Sequence, residues 1–157
     1  MKILMLQGAN MTWLGRREPD RYGTTTTAEL DEMMAAFAAE ADVELEIFYT
    51  NIEGEAIDRI YRAADEGFDG LLMNPAGFQY AGFALRDCLA AVKPRLPYVE
   101  VHITHNSITG GLRTVTAEMC AGMVLGFGID SYMIGFDGLL RIIRRRSRGS
   151  GREGNAS

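Results

Sequence analysis

The chain has 157 residues, of which 47% are hydrophobic and 24% charged, and its formal net charge is −5. This length and balance favour one globular domain, and we predict a single catalytic domain over residues 1–146 followed by a disordered basic tail over 147–157. The sequence contains neither a signal peptide nor an apolar run long enough to span a bilayer, so we expect a cytoplasmic protein without a membrane partner.

Strand-like and helical segments alternate from the first residues onward. Short apolar or alternating runs predict five strands, at Lys2–Gln7, Val43–Tyr49, Asp69–Met73, Pro97–His102 and Met123–Phe127, the last of which also fits a buried helical segment. Helical periodicity and a capping box predict four helices, at 28–41, Glu53–Glu66, Tyr80–Val92 and Ile129–Arg146. We therefore expect an α/β protein with helices on both faces of a parallel sheet.

This pattern predicts a flavodoxin-like, doubly wound, five-stranded parallel sheet with strand order 2-1-3-4-5. In such sheets, ligands bind beyond the carboxyl ends of the strands where the strand order reverses. The residues at the ends of strands one, three and four are Gln7–Gly8, Met73–Asn74 and Glu100–His102. We predict that these three segments converge on one site.

Charge is distributed unevenly along the chain. Residues 141–157 contain six arginines and one glutamate, a net charge of +5, which leaves the first 140 residues at −10. An acidic body is a poor general surface for nucleic acid, so no nucleic-acid partner is expected. An anionic ligand would instead need local arginines or backbone N–H groups.

The long loop after the first strand contains Asn10, Arg16, Arg17 and Tyr22. A free tyrosine has a pKa near 10, so a tyrosine that acts as a base near neutral pH needs a positive charge beside it. The loop arginines are candidates for that charge. The alternative is an ordinary surface loop, in which arginine and tyrosine are common.

Glu100 and His102 stand two residues apart at the end of the fourth strand. Alternate residues of a strand point to one face, and a neighbouring carboxylate favours the protonated imidazole, which suits a general acid. The alternative is an exposed ion pair. Metal binding by His102 and His105 lacks a third ligand at a suitable spacing. Asn74 could bind a substrate hydroxyl, or simply form the turn before proline.

Four segments together resemble the type II dehydroquinase family, from Lys2 to about Leu140. They are the loop GANMTWLGRREPDRYG and the segments NPAGFQYAGFALRD, VEVHIT and LGFGIDSY. The resemblance implies a 3-dehydroquinate dehydratase of the shikimate pathway or of quinate catabolism, a hydro-lyase that uses neither a metal nor an organic cofactor. It also implies a small-molecule carboxylate substrate and a homo-oligomer of trimers assembled into a dodecamer.

The resemblance further implies roles for the residues that eliminate water. Tyr22, held as a tyrosinate by Arg17, removes a proton next to the ketone, and a water near Asn10 stabilises the resulting enolate. His102, poised by Glu100, protonates the departing hydroxyl. This sequence of steps has a tyrosine base and a histidine acid.

The remaining implied contacts bind the substrate. Asn74 holds the departing hydroxyl, while the N–H groups of Ile103 and Thr104, with the Thr104 hydroxyl, bind the carboxylate. Arg113 matches an arginine that binds the ring hydroxyls, and Asp87 matches an acid that pairs with that arginine across subunits.

Three positions depart from the family pattern. Tyr80 stands where the family usually has a histidine that touches the ring hydroxyls, Thr109 stands in place of a further arginine, and Ala9 replaces a proline. The elimination residues are thus retained while the wall that recognises the ring is altered. Besides an ordinary dehydroquinase, the sequence therefore leaves open a divergent lyase for a related cyclic hydroxy-keto acid and a non-catalytic ligand-binding relative.

Overall fold

The computed structural model of the chain describes residues 1–105 and 114–153. Its strands are β1 (Lys2–Ala9), β2 (Glu44–Tyr49), β3 (Gly70–Ala76), β4 (Tyr98–His102) and β5 (Gly122–Leu125). Its helices are α1 (Pro19–Tyr22), α2 (Thr27–Glu40), α3 (Glu53–Asp65), α4 (Phe83–Val92) and α5 (Asp130–Glu153). Short 3₁₀ turns lie at Met11–Trp13, Gly77–Tyr80 and Ala117–Met119. No helix within the described ranges is both long and apolar enough to cross a membrane.

The five strands form one parallel sheet in the order β2-β1-β3-β4-β5, so the predicted flavodoxin-like fold is confirmed. Gln7 of β1 lies in register with Tyr49 of β2 and with Asn74 of β3. Met73 of β3 lies in register with Glu100 of β4. The carboxyl ends of strands one, three and four therefore meet at one edge of the sheet, as the sequence predicts.

The alternation of side chains in β1 divides the core into two layers. Ile3 and Met5 are fully buried in the layer that contains α2 and α5, whereas Leu4 and Leu6 are fully buried in the layer that contains α3 and α4. Because a strand between two helical layers is buried on both faces, it has a continuous apolar run rather than an alternating one. This explains why the first strand is so clear in the sequence.

Strand β3 continues to Ala76, three residues beyond the predicted end at Met73. Asn74 and Ala76 align with Gln7 and Ala9 of β1, so the Asn-Pro-Ala segment extends the sheet instead of breaking it. Proline lacks an N–H group, but it is tolerated here because the opposing backbone at Gly8 can approach closely. A Cβ atom at Gly8 would contact the Pro75 carbonyl oxygen and lie 2.7 Å from the carbonyl carbon.

We expect Gly8→Ala to lower the free energy of unfolding by about 1–3 kcal/mol, because the added methyl group meets backbone that cannot yield without separating β1 from β3. Gly54→Ala is the matched control, since a Cβ atom there meets nothing within 4 Å and alanine is the better helix former. Urea unfolding of both variants measures the difference. Equal stability of the two variants would contradict the close approach at Gly8.

The last helix continues to Glu153, so the predicted helix end at Arg146 is wrong and residues 147–153 are helical in the structure. Arginine is a good helix former, and the Ser147 hydroxyl donates to the Ile143 carbonyl oxygen at 3.2 Å, within the preceding turn. The helix thus includes a segment whose composition alone suggests disorder. Residues 154–157 lie outside the described residues.

Candidate active site

A cavity of about 90 Å³ opens at the edge where β1, β3 and β4 end. Eight of the predicted site residues line it: Asn10, Arg17, Tyr22, Asn74, Tyr80, His102, Ile103 and Thr104. The other lining residues are Met11, Leu14, Ala76, Gly77 and Gln79. The predicted convergence therefore brings together side chains from two strands, β3 and β4, and from the loop that follows β1.

The loop after β1 reverses direction through two left-handed residues. Asn10 has φ 76° and its backbone N–H donates to the Asn51 Oδ1 atom at 2.7 Å, which ties the loop to the end of β2. Glu18 has φ 42° and directly precedes α1. Pro19 occupies the first turn of α1, where a missing N–H costs nothing, and this one-turn helix places Tyr22 at the cavity.

Two guanidinium groups flank the half-buried Tyr22. The Cζ atoms of Arg17 and Arg21 lie 5.2 and 5.3 Å from the centre of the Tyr22 ring. The Glu18 carboxylate accepts from both, at 3.3 Å from Arg17 Nε and 3.4 Å from an Arg21 terminal nitrogen. Two positive charges against one negative charge leave a local excess of positive charge beside the Tyr22 ring.

Glu100 is fully buried beside His102, which is itself 6% exposed. The Glu100 Oε1 atom lies 2.7 Å from His102 Nε2 and accepts from the Thr114 hydroxyl at 2.6 Å. Its Oε2 atom accepts from the Tyr98 hydroxyl at 2.6 Å and from the Thr116 hydroxyl at 2.8 Å. The carboxylate is thus bonded on both oxygens, so the alternative of an exposed ion pair is wrong.

Burial alone would raise the pKa of the Glu100 carboxyl, but the bonds from His102, Thr114 and Tyr98 outweigh burial and hold that pKa below its usual 4.5. An ionised carboxylate can only accept hydrogen bonds. His102 must therefore donate from Nε2, which leaves Nδ1 as the nitrogen that can exchange a proton.

Asn74 is held at both ends of its side-chain amide. Its Oδ1 atom accepts from the Ala76 N–H at 3.0 Å, and its Nδ2 atom donates to the Tyr132 hydroxyl at 2.9 Å. Ala76 adopts φ 46° and ψ −118°, a region that residues with a Cβ atom rarely occupy. Strained backbone of this kind concentrates at functional sites, and here it turns the chain beneath the cavity.

Other predicted residues lie outside this cluster. Asp87 does not line the cavity; it is on the exposed face of α4 and accepts from the adjacent Arg86 at 3.1 Å. Arg113 and Thr109 lie outside the described residues. A role for Asp87 and Arg113 at a subunit contact stays a prediction.

Sequence reasoning missed several residues that hold the site together. Tyr98 could have been found, since it continues the two-residue spacing of Glu100 and His102 along β4. Arg21 directly precedes Tyr22, but nothing in the local sequence says which loop arginine faces the ring. The partners supplied from a distance give no local signal: Gln7, Thr114, Thr116 and Tyr132.

The described residues contain no cluster of three or more His, Cys, Asp and Glu side chains that could hold a metal ion. The polar side chains that line the cavity are two phenols, one guanidinium group, one imidazole, one hydroxyl and three amides, from Tyr22, Tyr80, Arg17, His102, Thr104, Asn10, Asn74 and Gln79. Such a set can remove a proton on one side and deliver a proton on the other.

The sequence of this chain matches one known protein family along most of its length. The family described as "Dehydroquinase class II" matches residues 1–140. The 3-dehydroquinate dehydratase of Geotalea daltonii is 40% identical over 147 residues, which cover 92% of this chain and 100% of the relative. That of Carboxydothermus hydrogenoformans is 41% identical over 148 residues, covering 93% and 94%.

Solved structures agree with the sequence comparison. A type II dehydroquinase from Butyrivibrio crossotus superposes with a TM-score of 0.85 at 34% identity, covering 88% of this chain and 97% of that one. A type II dehydroquinase from Propionibacterium acnes superposes with a TM-score of 0.81 at 29% identity, covering 91% and 96%.

Proposed function

The chain belongs to the class II dehydroquinase family, and on that premise we propose that it is a carbon–oxygen lyase that dehydrates 3-dehydroquinate to 3-dehydroshikimate. The observation that carries the proposal is the pairing of two proton-transfer groups across one cavity. A phenol flanked by guanidinium groups lies on the loop side, and an imidazole bonded to a buried carboxylate lies at the end of β4.

In the proposed reaction Tyr22, as its phenolate, removes the proton next to the substrate ketone. The electrons of the broken C–H bond form an enolate, which a water bound near Asn10 stabilises. When the enolate collapses, the carbon–oxygen bond breaks and protonated His102 delivers its proton to the leaving hydroxyl, which departs as water. The positive charge of Arg17 supports the phenolate, and Glu100 supports the imidazolium.

Substrate binding is assigned to the other side of the cavity. We place the substrate carboxylate against the N–H groups of Ile103 and Thr104 and the Thr104 hydroxyl, and the departing hydroxyl against Asn74. Backbone donors of this kind bind an anion without requiring a positively charged surface, which suits a chain whose first 140 residues carry a net charge of −10.

The direct test is to incubate the purified protein with 3-dehydroquinate and follow the ultraviolet absorbance of the conjugated enone product. We expect turnover without added metal or cofactor. An absence of turnover at high enzyme concentration would refute the assignment. Assembly into trimers and a dodecamer also stays a prediction, which sedimentation of the same sample would measure.

One observation favours the divergent lyase as a second candidate. Tyr80 lines the cavity and is 48% exposed, so its ring and hydroxyl form part of the open wall against which a substrate ring would lie. A Tyr80→His variant distinguishes the two candidates. A large gain in dehydroquinate turnover would show that the original side chain suits another cyclic hydroxy-keto acid.

We expect Arg17→Ala to lower kcat about 10–100-fold, because a guanidinium that stabilises developing charge on Tyr22 is lost. Arg16→Ala is the matched control, since the Arg16 guanidinium lies 6.0 Å from the Trp13 ring and has no ring contact with Tyr22. Steady-state kinetics on both variants measures the difference. Equal effects of the two substitutions would argue against a role for Arg17 in forming the base.

A further inference from the structure

Three polar side chains form a row across the carboxyl end of the sheet. Tyr49, Gln7 and Asn74 occupy matched register positions on β2, β1 and β3. Tyr132 of α5 packs onto this row and is fully buried. Its hydroxyl donates to the Gln7 Oε1 atom at 2.8 Å and accepts from the Asn74 Nδ2 atom at 2.9 Å.

The direction of these bonds follows from their partners. The Ala76 N–H can only donate, so the atom of Asn74 that faces it at 3.0 Å must be the carbonyl Oδ1. Nδ2 therefore faces Tyr132, whose hydroxyl must accept there and is free to donate to Gln7. Burial raises the pKa of the Tyr132 hydroxyl, so this proton is retained.

The opposite arrangement of the row is unfavourable. If Gln7 turned its Nε2 atom toward Tyr132, the hydroxyl would face two donors and its own proton would lose its acceptor. In the observed arrangement only the buried Gln7 Nε2 atom of this row lacks a hydrogen-bond partner among the described residues. One unpaired donor is the smaller penalty, since each buried polar group without a partner costs free energy.

We propose that Tyr132 and Gln7 are positioning residues that hold the Asn74 amide in place, with the polarity that the Ala76 N–H sets, so that Asn74 offers an N–H donor to a substrate oxygen in the cavity. One hydrogen of Nδ2 is committed to Tyr132, and the second is left for a ligand. The site would then bind a substrate oxygen that has a free lone pair. This hydrogen bond strengthens as negative charge develops on that oxygen while its bond to carbon breaks. The identity of that oxygen as the leaving hydroxyl rests on the proposed function.

The first experiment needs no substrate. In a ¹H–¹⁵N spectrum of the labelled protein, the side-chain NH₂ signals of Asn74 are assigned by their loss in Asn74→Ala. We expect Tyr132→Phe to shift these signals and to speed their exchange with water, because the hydroxyl that accepts from Nδ2 is removed. Gln7→Met removes the acceptor of the Tyr132 proton and should also shift the Asn74 signals. It replaces Tyr132→Phe in the experiment if that variant does not fold.

Tyr61→Phe is the matched control. It deletes the hydroxyl of a tyrosine that is 43% exposed on α3, in the opposite helical layer from Tyr132. The Asn74 signals should keep their positions in this variant. Unchanged Asn74 signals in Tyr132→Phe and Gln7→Met would overturn the proposal.

The second experiment is a double-mutant cycle on dehydroquinate turnover. We expect Tyr132→Phe to lower kcat about tenfold with KM nearly unchanged, the effect of misplacing one hydrogen-bond donor. In an Asn74→Ala background the same substitution should change kcat less than about twofold. Equal losses in both backgrounds would show that Tyr132 does not act through Asn74. If the unaltered protein lacks turnover, the assigned reaction is wrong, and the spectra alone decide the positioning role.

Discussion

Tyr22→Phe is expected to lower kcat for 3-dehydroquinate by about 10²–10⁴-fold, the usual contribution of a general base. The substitution removes one oxygen atom and keeps the ring between the guanidinium groups of Arg17 and Arg21. Because Tyr22 is only partly buried and packs at the edge of the core, loss of its hydroxyl should change the thermal stability little. Steady-state kinetics and thermal unfolding of the same sample measure both quantities.

Tyr61→Phe supplies the comparison for this variant. Tyr61 is 43% exposed on α3, in the opposite helical layer from the loop that carries Tyr22, and we expect kcat to stay within about twofold of the unaltered protein. A Tyr22→Phe protein that keeps most of its activity would show that another group removes the proton.

Glu100→Gln is expected to lower the free energy of unfolding by about 3–5 kcal/mol, as when one partner of a buried ion pair is removed. All four side chains that bond to the Glu100 carboxylate donate a hydrogen to it. An amide would turn an NH₂ group toward two of them and leave buried hydrogens unpaired. Turnover should fall as well, because His102 loses the charge that stabilises its protonated form.

The pH dependence of stability distinguishes lost charge from altered packing. The folded protein holds the pKa of the Glu100 carboxyl below its usual 4.5, so this carboxylate stabilises the fold above pH 4.5 and loses that effect as the pH falls toward the lower folded value. The free energy of unfolding of Glu100→Gln should therefore fall less steeply with decreasing pH than that of the unaltered protein. Urea unfolding between pH 3 and pH 7 tests the difference.

Glu118→Gln is the matched substitution. The Glu118 side chain is 66% exposed and pairs with Arg86 at 3.6 Å, so its loss should change the free energy of unfolding by less than about 0.5 kcal/mol. If both glutamine variants were equally stable, the buried carboxylate would not have the structural importance inferred for it.

The sheet was predictable because its signals are local. The apolar run of β1 and the alternation in β2 lie within single strands, and the switch point follows from strand order alone. The end of β3 was not predictable, because the extension to Ala76 depends on how closely the backbone at Gly8 can approach Pro75. The end of α5 was missed because the residues after Arg146 include glycine and serine, which are weak helix formers, whereas the helix continues to Glu153.

The candidate site was predictable to the extent that it comes from short segments. The loop with Arg17 and Tyr22 and the two-residue spacing of Glu100 and His102 were visible in the sequence, and the structure brings them to one cavity. The residues that orient Glu100 could not be predicted. Thr114 and Thr116 are 14 and 16 residues away from Glu100 in the sequence, and no local motif marks them as its partners.

The bond between Tyr132 and Gln7 has a consequence for biosynthesis of the protein. It joins positions 125 residues apart, nearly the full length of the chain. A nascent chain on the ribosome can form the first strands but cannot complete the row across the sheet until α5 has emerged. Contacts of such long sequence separation slow folding, so we expect the row that holds Asn74 to form only after β1, β3 and α5 are all free of the ribosome.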